Sequence, residues 1–257
     1  MPMISIEDYK TNISPTSILF TRTDEMPEWL CTIIATIKAL ERNISQCIYV
    51  IDWPCKRIIY TSANFAKYCG LPATSSGYII KYKDIEDVIP EGEMKMVNEA
   101  IKVLDILIKK MKPQDLLQCT MSCDIHMKGE TMMRMMHHKL TPLTINEDGD
   151  IDLAVATIDF SASDKAGNFF LNKTEWKHYY KYSTETHVWE KKEKVVLTDL
   201  ECHILILAAQ GYTVDKIADK LTKSTSTIKA AKRSLFSRMG VNSITQALSA
   251  AALYKKM

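Results

Sequence analysis

The chain is poor in glycine. Its 257 residues hold eight, at positions 70, 77, 92, 129, 149, 167, 211 and 240, and no two are closer than seven residues. That spacing excludes the glycine-rich loops that cradle phosphates and the G-x-S-x-G elbow of serine hydrolases. The seven cysteines, at 31, 47, 55, 69, 119, 123 and 202, are odd in number, scattered, and form no C-x-x-C. That pattern suits a reducing compartment. Long apolar runs are also missing. The most apolar stretch, Trp29 to Leu40, is broken by Thr32, Thr36 and Lys38 and is too short to span a bilayer. The opening MPMISIEDYK places acids where a signal peptide needs positive charge. The expectation is a cytoplasmic protein with no membrane partner.

What is present supports a folded chain. Apolar residues make up 46% and charged residues 25%, enough for a core. The net charge of +2 conceals an asymmetry: from Lys191 onward there are 12 basic and 5 acidic residues, whereas residues 1–190 hold 21 basic and 26 acidic. A basic end on an acidic body points to a nucleic-acid partner for that end.

The basic end reads as four helices. Thr198-x-x-Glu201 is a capping box, followed by Ile204, Leu205, Leu207 and Ala208 and closed by Gly211. Thr213 caps a short helix carrying Ile217, Ala218 and Leu221. After Thr222-Lys223-Ser224 a third helix runs over 225–239, with Ile228, Ala231, Leu235 and Met239 on one stripe and Gly240 as its stop. A fourth, alanine-rich helix is expected from Ser243 to Lys255. Short helix, tight turn and longer helix is the helix-turn-helix order. On the third helix Lys229, Ala230 and Arg233 project away from the apolar stripe. Beyond Asp219 there are eight basic residues and no acid. Like charges on one helix face repel, and a duplex phosphate backbone relieves that repulsion.

The pattern Leu197-Thr198-x-x-Glu201-x-x-Ile204-Leu205, Ala209-x-Gly211-x-Thr213-x-x-x-Ile217-Ala218-x-x-Leu221-x-x-Ser224-x-x-Thr227-Ile228-Lys229, Met239-Gly240-Val241 and Ala247 resembles the LuxR-type helix-turn-helix. The resemblance implies that the 225–239 helix enters the major groove of double-stranded DNA. Lys229, Ala230 and Arg233 would face bases, with Lys223, Ser226, Thr227, Lys232 and Arg238 completing the DNA-binding set. It also implies pairing of two copies through the fourth helix, at Leu248, Ala251 and Ala252. Leu200, Ala231 and Ile244 depart from the family, which usually has Arg, often His and often Arg there; these departures remove polar groups that serve phosphate contact.

The acidic body reads as α+β. Ile48–Ile51 and Ile58–Tyr60 are short strands around the turn Asp52-Trp53-Pro54-Cys55, and Asn64 to Cys69 is a short helix closed by Gly70. A longer helix fits Glu93 to Lys110, with Val97, Ile101, Leu104 and Ile108 inward. Leu117 to Met127 alternates as a half-buried strand. Turns at Lys128-Gly129-Glu130 and Asp148-Gly149 then give a three-stranded meander ending at Phe160. This order resembles a PAS domain, a sensor with an antiparallel sheet and flanking helices. Pro27 to Asn43 is an amphipathic helix expected to dock on the sheet or on a partner subunit. The expected division is 1–46 as an N-terminal extension, 47–161 as the PAS-like sensor, 162–194 as an aromatic-rich bridge, and 195–257 as the DNA-binding domain. In the bridge, Trp176 to Tyr182 and His187 to Glu190 are expected to form a hairpin, with the charged run 190–194 as the hinge.

Other chemical signals are weaker. Cys119, Cys123 and His126 have ligand-like spacing, but strand alternation sends His126 to the opposite face from the two cysteines. His137 and His138 diverge likewise; an exposed strand pair is the expectation, with one as an axial haem ligand the alternative. Asp148, Asp150, Asp152 and Asp159 imitate a calcium loop, but Leu153 stands where glycine is needed. No metal site and no catalytic constellation is expected, and no cofactor is evident. Six of the 14 methionines fall between 121 and 136, compatible with core packing or with a cavity for a small apolar ligand. The functional expectation is a homodimeric DNA-binding transcriptional regulator whose sensor binds a small molecule or mediates dimerisation. An enzyme lacks a constellation to support it, and a ligand-free dimerising scaffold is the alternative.

Overall fold

The computed structural model describes residues 27–65, 69–71, 80, 82–129 and 131–253. The first 26 residues of the expected extension, Glu130 and residues 66–68 of the expected 64–69 helix therefore lie outside the described residues.

Among the described residues, eight antiparallel strands form one sheet in the order β2-β1-β5-β4-β3-β6-β7-β8. They are β1 (Cys47–Asp52), β2 (Arg57–Thr61), β3 (Cys119–Lys128), β4 (Met133–Ile145), β5 (Ile151–Phe160), β6 (Gly167–Lys173), β7 (His178–Ser183) and β8 (Val188–Glu193). Between β2 and β3 come helices α2 (Tyr82–Glu86), α3 (Glu91–Ile108) and α4 (Pro113–Leu116). The expected meander is β3-β4-β5.

β1 is buried along its whole length because both of its faces are covered. Cys47, Tyr49 and Ile51 join the main core under α3, while Ile48 and Val50 meet α1 (Glu28–Leu40) on the other side. α1 lays Leu30, Ile34 and Ile37, at helical spacing, on Ile48, Val50, Tyr60 and Leu153. It thus docks on the sheet of its own chain. α3 starts two residues earlier than expected, after Pro90, and its buried stripe is Met94, Val97, Ala100 and Leu104. Ile101 and Ile108 sit at the margin of that contact. Gly70 is required where it stands: at φ +67, a Cβ there would lie 2.8 Å from the Lys128 carbonyl oxygen.

The 162–194 segment differs from its expected role as a bridge. Its hairpin exists, as β7 and β8, but with β6 it extends the sheet from β3. The aromatics explain why. Phe169 and Tyr182 are buried edge-to-face, and Trp189 donates its indole N–H to the Ala100 carbonyl of α3 at 3.1 Å. The expected hinge at 190–194 is mostly strand β8, and the irregular connection is 194–198.

β6 is fastened by Asp124 of β3, whose side chain is almost wholly buried. Its carboxylate accepts from Ser161 Oγ at 2.7 Å and Asn168 Nδ2 at 2.9 Å, and pairs with His137 Nδ1 at 2.7 Å. These partners come from β4, from the end of β5 and from β6. Asn168 adopts a left-handed backbone (φ 49) and also donates to Ser163 Oγ. A carboxylate removed from water is tolerated only with its lone pairs engaged. Asp124→Ala strands these donors in a dry site, so urea unfolding should show a loss of about 3 kcal/mol, whereas exposed Glu147→Ala should change stability by less than about 0.5 kcal/mol.

Candidate functional site

The C-terminal helices are α5 (Asp199–Ala209), α6 (Val214–Lys220), α7 (Thr225–Met239) and α8 (Ile244–Leu253). Each start is fixed locally. Thr198 and Glu201 complete the capping box, Thr213 caps α6, and Ser224 caps α7 by accepting from the Thr227 amide at 3.1 Å. α7 ends at Gly240, left-handed at φ 65. α5 divides two small cores: Ile204 packs with Ile217, Ala218 and Ile228, and Leu205 with Leu235, Ala247 and Ala251.

These cores turn one face of α7 outward. Ser226, Thr227, Lys229, Ala230 and Arg233 are exposed on it, as is Lys223 in the turn before it. Among the described residues, Lys223, Lys229 and Arg233 pair with no carboxylate. Lys232 is less free, with its ammonium 5.6 Å from the centre of the Phe236 ring. The first turn holds no acid, and the Ser226 and Thr227 hydroxyls each lie 2.8 Å from Ser224 Oγ. A capped helix N-terminus with hydroxyls and unpaired cations on one face is built to receive anionic oxygen.

Two expected roles change. Arg238 does not stand with the free cations: it bonds the buried Glu201 carboxylate and the Val196 carbonyl, joining the end of α7 to the start of α5. Burial pushes the Glu201 carboxyl up, but the Arg238 and Thr198 donors outweigh it and hold the group below its usual range. Ala251, expected to pair two copies, is fully buried in its own domain's core, and Leu248 packs beside it. The helical period turns 244, 247, 248 and 251 inward together. The side chain of Ala252 lies outside the described residues. Arg238→Ala should lower stability by about 1–2 kcal/mol, because Glu201 is left buried without its cation. The same variant should leave the salt dependence of duplex binding unchanged, as a titration at several salt concentrations would show.

The sheet holds a second site. A cavity of about 100 Å³ lies between the sheet and α3. Tyr49, Trp53, Met94, Met121, Phe169 and Trp189 are among its walls, together with Cys123 and His138. Of the methionine-rich stretch, Met121 lines the cavity, while Met127 and Met136 are fully buried in the core. His137 and His138 do diverge, yet neither is the exposed residue expected. His137 meets Asp124 on one face, and His138 turns to the cavity with its ring 5.5 Å from that of Tyr49. The Nε2 atom of His138 is cut off from solvent and has no hydrogen-bond partner among the described residues. Burial, with His137 second, pushes its pKa down to about 4, and burial pushes the Cys123 thiol up to about 12. Both groups are neutral at pH 7. Among the described residues no group of His, Cys, Asp and Glu could hold a metal ion. Asp152 and Asp159 of the imitation calcium loop are strand residues that accept from Thr144 and Gln46.

A His with a depressed native pKa confers stability that is present above about pH 6.5 and is lost as pH falls toward 4, because the unfolded chain takes up the proton first. Between pH 7.5 and 4.5 the parent should lose on the order of 2 kcal/mol more than His138→Leu in urea titrations.

Residues 195–251 match the luxR family of bacterial regulatory proteins, GerE. The chain therefore carries a LuxR-type DNA-binding helix-turn-helix domain at its C-terminal end. No curated protein matches the chain significantly. Among solved structures, it is similar to a phage VqmA in complex with DPO, at 14% identity over 88% of this chain and 90% of that one, with a TM-score of 0.32. It is likewise similar to the VqmA dimer of Vibrio cholerae in the absence of target DNA, at 14% identity over 84% and 86%, TM-score 0.32. Overlays this loose bear on neither fold nor function. No helix among the described residues is long and apolar enough to cross a membrane.

Proposed function

We propose that this protein is a cytoplasmic transcriptional regulator rather than an enzyme. It reads DNA with α7, as a homodimer, under the control of a PAS-like sensor that takes a small, mostly apolar molecule. The observation that carries the reading is the exposed, acid-free face of α7, where Lys223, Lys229 and Arg233 have no carboxylate among the described residues to neutralise them. Arg233 suits bidentate bonds to guanine O6 and N7. Ala230 beside it lets the helix lie deep, and Lys229 serves base or phosphate. Lys223, Ser226, Thr227 and Lys232 fall to the backbone, and Arg238 is withdrawn from the set. Two copies place two such helices on half-sites about one helical turn apart.

The sensor part rests on the strand order β2-β1-β5-β4-β3, with the helices inserted between β2 and β3, and on the apolar cavity beneath α3. We place the sensor core at 47–161, now with β6–β8 as an extension of the same sheet, and the DNA-binding unit at 195–257. A ligand that prefers one arrangement of the two shifts DNA affinity by its differential binding alone.

The test is titration of parent and variants against specific and random duplexes over a range of salt. Arg233→Ala should cost about 1–3 kcal/mol on the specific duplex and relax preference at one base pair per half-site. Lys223→Ala should weaken all sequences alike and flatten the salt slope by about one. Unaltered affinity and specificity in a folded Lys229→Ala/Arg233→Ala double variant would overturn the reading.

A further inference from the structure

The cavity under α3 has a polar group with nothing to bind. Besides His138, the inward-facing strand residues on its walls are hydrocarbon, aromatic or thiol; the polar atoms of the wall aromatics are the Tyr49 hydroxyl and the Trp53 and Trp189 indole N–H groups, the last engaged by Ala100. Lys139 and Ser122 belong to positions that alternate to the other face of β4 and β3. Among the described residues of the lining, His138 Nε2 is the atom sealed from water and unpartnered. A buried polar atom without a partner is unfavourable, and a native structure that keeps one invites a ligand or an ordered water there. Packing by Leu or Met at this position would remove the cost, and the neighbours Met136 and Leu140 show that the strand accepts such residues.

We propose that this cavity binds a neutral, mostly apolar molecule that makes one hydrogen bond, at His138 Nε2. The proposal rests on the sensor reading above and gives it a ligand class. Room for roughly seven to ten water-sized groups sets the size, that of a single substituted ring. Neutrality follows from the walls: among the described residues of the lining, none that faces inward is a cation or a carboxylate. The depressed pKa of His138 keeps the imidazole uncharged, so it can donate or accept at Nε2 by choice of tautomer. His138 is then the residue that selects among apolar molecules of equal size.

The experiment uses the full chain and three probes of similar size: phenol, toluene and benzoate. Binding is read by thermal shift at millimolar concentration and by the imidazole resonances of His138 in NMR. Phenol should bind roughly three- to tenfold more tightly than toluene, a hydrogen bond's worth, and benzoate should not bind. His138→Leu should erase the phenol preference while still admitting toluene, and His138→Gln should retain part of it. Equal binding of phenol and toluene to the parent, a preference that survives in folded His138→Leu, or no binding of any probe would each overturn the proposal. Phenol that binds through His138 and leaves duplex affinity unchanged would uphold the site and sink the sensing role instead.

Discussion

The extended sheet depends on one buried carboxylate. Asp124 sits mid-strand in β3, almost wholly out of water, and its lone pairs are met by groups from three other places in the chain. Two of those donors, Ser161 and Asn168, lie at either end of the connection from β5 to β6. Satisfying Asp124 therefore also fixes where that connection runs and brings β6 to the free edge of β3. The consequences follow in order. β6 receives β7, β7 receives β8, and β8 carries Trp189 back across the sheet to α3, where its indole both closes the cavity and bonds Ala100. A strand edge that would otherwise be open to another chain is covered in the process.

The helical end relies on a comparable device. Its two cores are small, and α5 serves both through adjacent residues, Ile204 and Leu205. Adjacent residues on a helix point about 100° apart, so a helix used this way must be held at a fixed rotation. The Thr198 capping box and the Glu201–Arg238 pair hold it, because both act on the first turn of α5. One arginine of the acid-free stretch is thereby committed to architecture.

The helical end was legible in the sequence because its signals are local. Caps, glycine stops and apolar stripes lie within a few residues of what they specify, and the third helix falls at 225–239 as its spacing indicates. Arg238 was misread because its partner is 37 residues away, and a stretch without acids hides an acid elsewhere. Ala251 was misread because small side chains suit a close contact without saying with what. In the body, β3 to β5 alternate plainly, whereas β6 to β8 mix aromatic and charged residues in a way that fits a surface hairpin equally well. Their place in the sheet comes from pairing with β3 and from Asp124, both non-local. His138 was half legible. Met136, His138 and Leu140 share a face by alternation, but only the packed α3 above them makes that face the wall of a cavity.

The cavity and the helical domain are joined by little chain. Trp189 lines the cavity and belongs to β8, which ends at Glu193. Lys194 is then anchored, its amide to the Lys177 carbonyl and its ammonium to the Lys173 and Thr174 carbonyls. Val195 and Leu197 already pack into the helical core around Leu205 and Leu235. The five residues 194–198 span roughly 17 Å at full extension. Both ends of this connection are therefore tied down, with no slack segment between them. A displacement of β8 caused by an occupant beside Trp189 would have to strain the Lys194 anchor or move the start of α5. Coupling of this kind requires that an occupant favour one position of β8 over another, since equal affinity for both would shift nothing however tight the binding. The wall formed by Trp189 is where such a difference in affinity would arise, because it is the part of the cavity contributed by the last strand before the DNA-binding domain.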